Sequence, residues 1–222
     1  MAVEVLNAIP LRPPLPEIMR RLGYNRHRNE VMAERQRRLI DAAIAAGFAL
    51  RRPRGCRIRL EPIAVEKNLV RLADGTVFAS GGLAALVQDS HALWLAAVTV
   101  GAEISRAGAA LAAAGDGTAA AIYDAVGSET ADAAMDWLQR YQAAQLTRSG
   151  EKLTRRRFSP GYSDLGLEAQ RDIFRLLHLE DFGMSLTDRL FMMPEKSVTA
   201  FAGIEFNPPI PTEGKNNDTT GI

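Results

Sequence analysis

Cysteine is almost missing from this chain and histidine is sparse. The single Cys56 excludes an internal disulfide framework and any multi-cysteine metal or iron–sulfur site built by one chain. His27, His91 and His178 lie too far apart in sequence to point to a zinc centre. No Gly-x-Gly-x-x-Gly and no Walker sequence occurs, so neither a Rossmann dinucleotide site nor a P-loop is supported. An excess of one charge is lacking too: 27 Lys and Arg face 26 Asp and Glu, so no global field draws nucleic acid or an anionic membrane. The apolar segment 92–100 is far too short to span a bilayer. No cationic leader followed by an apolar run opens the chain, so we expect no export and a cytoplasmic enzyme or accessory protein.

What is present is a globular balance of 47% hydrophobic and 24% charged residues, in a chain of 222 residues that can bury a substantial core. Residues 1–15, with Pro10, Pro13 and Pro14, predict an extended arm lying over the domain. A short helix over 16–22 is ended by Gly23. A stronger helix over 30–48 carries an apolar stripe of Val31, Leu39, Ala42, Ala43 and Ala46, with Arg35, Arg37 and Arg38 outside and Gly47 as its stop. Strands are expected at 56–60, 68–72 and 76–79, the last two flanking the turn Ala73-Asp74-Gly75. A short helix at 83–88, a buried strand at 91–100 and a small-residue helix at 102–114 follow. The longest helical pattern, 118–146, places Ile122, Val126, Ala133, Trp137 and Tyr141 on its buried side. Beyond it we expect a strand carrying residues 157–162, a helix at 167–177 and strands at 187–193 and 197–204. The segment after Phe206 is rich in Pro, Asn, Thr and Gly and reads as a disordered tail. The division is then an arm with helices over 1–50, a body over 51–206 and a tail over 207–222. Hairpins outnumber crossovers, which makes the class α+β with an antiparallel sheet.

Chemistry concentrates in Arg157-Phe158-Ser159-Pro160-Gly161-Tyr162. Gly161 opens φ values closed to other residues, and Pro160 pushes Ser159 towards an extended conformation. Arg157 can grip a carboxylate through parallel N–H bonds. Taken alone, the same residues also read as a solvated charge run before an ordinary turn. Glu129, Asp132 and Asp136 fall at helical spacing, either as a solvated face or as carboxylates for a cationic ligand. Cys56 stands among Arg54, Arg57 and Arg59, which would lower its pKa if it were exposed; with no base nearby in sequence we expect a structural thiol.

The motif at 157–162 resembles the Arg-Pro-Ala-x-Gly-Tyr sequence of the reactivation domain at the C-terminus of cobalamin-dependent methionine synthase. Leu186-Thr187, Met193-Pro194 and Ser197-Val198 resemble that domain's later Leu-Thr…Trp-Pro…Ser-Val segment at the same spacing. The resemblance covers roughly 118–204, and the whole chain is more similar to small stand-alone relatives of the domain. It implies a twisted antiparallel sheet flanked by helices in a curved, helmet-like body. It also implies an S-adenosylmethionine site in which Arg157 takes the carboxylate, Ser159, Pro160 and Gly161 contact the adenine, Tyr162 flanks the cobalt-facing end and Asp132 or Asp136 meets the ligand's positive charge. The partner implied is a methionine synthase that carries cobalamin and lacks its own reactivation domain, served also by an electron donor. The family's tyrosine in a His-Pro-Asp segment and its N-terminal aspartate have no counterpart here. A non-enzymatic cap for a corrinoid protein, without S-adenosylmethionine, is the alternative expectation.

Overall fold

The computed structural model describes residues 2–24 and 34–207. Its strands are β1 (Glu4–Leu6), β2 (Arg54–Leu60), β3 (Ile63–Glu66), β4 (Leu69–Leu72), β5 (Val77–Ala79), β6 (Ala92–Thr99), β7 (Glu151–Leu153), β8 (Ser185–Leu186), β9 (Met192–Met193) and β10 (Ser197–Phe206). The helices are α1 (Leu15–Arg21), α2 (Glu34–Ala49), α3 (Gly81–Val87), α4 (Glu103–Ala113), α5 (Gly117–Leu146) and α6 (Ala169–Leu177). The class is α+β. A five-stranded antiparallel sheet runs in the order β1-β2-β6-β10-β7, beside a three-stranded sheet β3-β4-β5 and a small β8-β9 hairpin.

β6 explains the architecture. Every one of its residues is buried, as expected for a central strand covered on both faces. Successive side chains alternate between faces. Leu93, Leu95 and Ala97 join Cys56, Ile58, Leu60 and Phe201 in a core closed by α3, α6 and the three-stranded sheet. Trp94, Ala96 and Val98 join Ala200, Ala202 and Ile204 against Ala134, Met135 and Leu138 of α5. A third cluster unites α1, α2, α4 and the first half of α5 through Ile18, Ile44, Ile104 and Val126.

Asp116 starts α5 by accepting the Ala119 N–H at 2.9 Å, and its 30 residues extend about 45 Å. The helix therefore crosses the sheet and still supports the helices beyond it.

Several sequence expectations need correction. In α2 the buried residues are Ile40, Ile44 and Gly47, while Leu39 is exposed; Val31 lies outside the described residues. Gly47 does not stop the helix. It packs where an added Cβ would lie 3.3 Å from the Tyr123 ring, so its small size seats α2 on α5. On α5 the buried face runs through Ala131, Ala134, Met135 and Leu138, and Tyr141 is exposed. The expected strand over 187–193 is instead a hairpin. Thr187 bonds back to Phe191 at both backbone and hydroxyl, with Leu190 at φ 64°, and this closes a turn within the segment expected to be one strand.

The arm is bound to the body: β1 pairs with β2, and Ile9 is buried. Cys56 is fully buried, and burial pushes its thiol up to about 12 despite the flanking arginines. The expected tail falls outside the described residues from 208 onward.

Candidate functional site

Residues 157–162 lie just beyond β7, not within a strand. Only Phe158 joins the sheet, through an isolated antiparallel bridge to Phe201 with N–H···O distances of 2.9 and 2.8 Å. This bridge stops the chain from peeling off the sheet and turns the following residues outward. Pro160 and Gly161 then reverse direction. Gly161 takes φ 83°, its N–H reaches the Leu165 carbonyl at 2.7 Å, and the Tyr162 N–H reaches the Ser159 carbonyl at 3.2 Å.

The turn forms one wall of a groove of about 980 Å³. Arg155, Arg156, Arg157, Phe158, Ser159 and Tyr162 line the groove, together with Gly82, Ala85 and Leu86 of α3 and Gln139 of α5. Tyr162 stands edge-on to Phe158 with ring centroids 6.0 Å apart, and 69% of it is open to solvent. A groove of this size suits a ligand of small-molecule dimensions, with apolar surface for a flat ring and cations at one side.

The structure brings Arg157 to the acidic helix face. Its Nη1 donates to Asp136 Oδ1 at 2.6 Å and to Gln139 Oε1 at 2.7 Å. Gln139 in turn donates to the Thr154 and Arg155 carbonyls, which ties α5 to the chain entering the motif. Glu129 is drawn away by Arg21, to which it binds at 3.1 Å. Asp132 lies between these two ion pairs and makes no hydrogen bond among the described residues. Desolvation first, then the negative charge of Glu129, push its carboxyl above the ordinary value against the pull of Arg157, although the residue itself stays open to water. The site therefore has an arginine already holding one carboxylate, and a second carboxylate nearby, Asp132, with no ion pair among the described residues.

Sequence reading missed Gln139, Glu129's pairing with Arg21, and the α3 side of the groove. Gln139 follows Asp136 by three positions and so shares its face, which was a usable signal. The approach of Gly82 was not readable, because it depends on how α3 docks. Among the described residues, no cluster of His, Cys, Asp and Glu could hold a metal ion, and no helix is long and apolar enough to cross a membrane.

No family model and no curated protein matches this chain. A solved structure does: the crystal structure of the MetH reactivation domain bound to AdoHcy (S-adenosylhomocysteine), with a TM-score of 0.66 and 17% identity over 96% of this chain and 80% of that one. The likeness covers 96% of this chain, more than the stretch of roughly 118–204 over which the sequence resemblance runs. This chain has the fold of the methionine synthase reactivation domain.

Proposed function

We propose that this protein binds S-adenosylmethionine in the Arg157 groove and presents its methyl group to the cobalamin of a partner methionine synthase, restoring the inactive cofactor. The observation that carries the reading is the Arg157–Asp136 pair at the rim of a groove with an apolar wall, set in a reactivation-domain fold. The residues present fit the ligand. Arg157 uses a single nitrogen on Asp136, which is half exposed, so an arriving carboxylate can take over the guanidinium. Asp136 is then released beside Asp132, and the two carboxylates face the ligand's ammonium or sulfonium charge. Of the turn 159–161, Ser159 lines the groove and is the part that meets the adenine, with Pro160 and Gly161 shaping the turn behind it, and Tyr162 covers the open side.

When carried by the partner, cobalamin supplies the cobalt nucleophile that accepts the methyl group after one-electron reduction, with S-adenosylhomocysteine leaving. This chain needs no acid or base for that transfer. Its work is to hold the methyl sulfonium in line and keep water away, which is catalysis by positioning. The cytoplasm is the expected setting, and the reductant is an unidentified electron donor.

The test follows the cob(II)alamin absorbance band of a synthase truncated after its cobalamin-binding domain, with reductant and S-adenosylmethionine. Faster loss of the band with this protein present is the expected result; equal rates with and without it reject the reading. A second reading has its own support: Arg157 is satisfied internally by Asp136 and Gln139. A cap that holds a corrinoid protein without S-adenosylmethionine would need no more. Calorimetry at millimolar S-adenosylhomocysteine separates the two, since the cap gives no binding heat.

A further inference from the structure

The turn at 159–162 is closed by its own backbone hydrogen bonds, Gly161 N–H to the Leu165 carbonyl and Tyr162 N–H to the Ser159 carbonyl, but these do not fix it to the rest of the groove. Gly161 and Ser163 both have left-handed backbones, φ 83° and 55°, and such a φ is uncommon for serine. The upstream end is fixed by the Phe158–Phe201 bridge. The downstream end is fixed by Asp164. Its carboxylate accepts the Ser80 hydroxyl at 2.6 Å, the Gly81 N–H at 2.6 Å and the Gly82 N–H at 3.3 Å. Ser80 meanwhile caps α3 by accepting the Leu83 N–H at 3.0 Å. The Ser80 hydrogen bond first, and the Gly81 and Gly82 amides after it, hold the Asp164 carboxyl below its ordinary value.

Gly82 completes the match. A Cβ there would lie 2.6 Å from the Phe158 ring and 3.0 Å from Asp164 Oδ1. Only glycine lets α3 approach Phe158 and Asp164 this closely, and Gly82 and Phe158 both line the groove.

We propose that Asp164 is a positioning residue of the groove: by locking the 159–162 turn onto the first residues of α3, it sets the height of Tyr162 and the groove width at which a ligand is held. The proposal rests on the S-adenosyl-ligand reading of the groove. Asp164 touches no ligand itself; it acts through the turn.

Asp164→Asn keeps the shape of the side chain but places an N–H₂ group among donors. It should weaken S-adenosylhomocysteine binding about tenfold, because ligand binding must then re-order a turn that has lost a charge-assisted hydrogen bond to α3. Gly82→Ala, which leaves the carboxylate in place but displaces Phe158, should weaken it similarly. Melting temperatures report folding. Amide resonances of Gly81 and Gly82 report the clamp: they should move in Asp164→Asn and keep their positions in Arg157→Ala, which lowers affinity by another route. Parent-like affinity in Asp164→Asn, with the two glycine resonances displaced, overturns the positioning role while leaving the ligand reading intact. A parent protein that binds no S-adenosylhomocysteine overturns the ligand reading itself, and the proposal with it.

Discussion

Two arginine–carboxylate pairs in this protein are built differently. Arg59 meets Glu151 with two nitrogens on two oxygens, both at 2.9 Å, and Glu151 is almost fully buried. Ser149 and His91 add further bonds to the same carboxylate, and its carboxyl is lowered to about 2, first by the Arg59 hydrogen bond. Arg157 meets Asp136 through one nitrogen, shares that nitrogen with Gln139, and leaves its partner half in water. A buried, multiply bonded pair is costly to break, whereas an exposed single contact contributes little to stability. The first pins β7 and the turn after α5 to β2. The second is an exchangeable contact at the rim of a groove. Permanence and exchange are thus written in burial and bond count, with the same two functional groups.

The largest effect should come from breaking the first pair. Glu151→Ala leaves Arg59 facing His91 without its main partner and should cost about 2–3 kcal/mol of stability in urea denaturation at neutral pH. The pH dependence has a definite sign. The carboxyl is lowered from an ordinary 4.5 to about 2, so its contribution is complete above pH 4.5 and is lost as pH falls towards 2. Glu151→Gln should flatten the stability curve across that window; an unchanged curve would mean the pair adds nothing net.

Arg157→Ala comes next, and its effect should appear in binding, not folding. Loss of about 1.5–3 kcal/mol of affinity for S-adenosylhomocysteine, with melting within a few degrees of the parent, is the expected outcome. Equal affinity in calorimetry would remove Arg157 from the site. The smallest effect belongs to Asp136→Asn. An exposed pair of this kind is worth less than about 1 kcal/mol, so stability should barely change. A destabilisation as large as that of Glu151→Ala would erase the distinction between the two pairs.

The sequence by itself determined the class and the main elements of the sheet and its helices. Alternation in β2, an unbroken apolar run in β6 and a period-3.6 pattern in α5 placed these elements within a few residues, because burial is imposed residue by residue along the chain. It also marked residues 157–162, since an arginine before a Pro-Gly turn constrains backbone and charge locally. Tertiary structure decided the rest. Which α5 face is buried depends on how the helix lies across β6 and β10, and this turned Tyr141 outward. Whether Asp132, Asp136 or Glu129 meets Arg157 depends on where α1 and the chain after β7 arrive, and Arg21 took Glu129. The Asp164 clamp joins groups 84 residues apart in sequence, and no local pattern encodes a contact made only when α3 docks. Periodicity reports what a residue does within its own element; pairing between elements is settled by packing, where close approach, burial and charge are satisfied together.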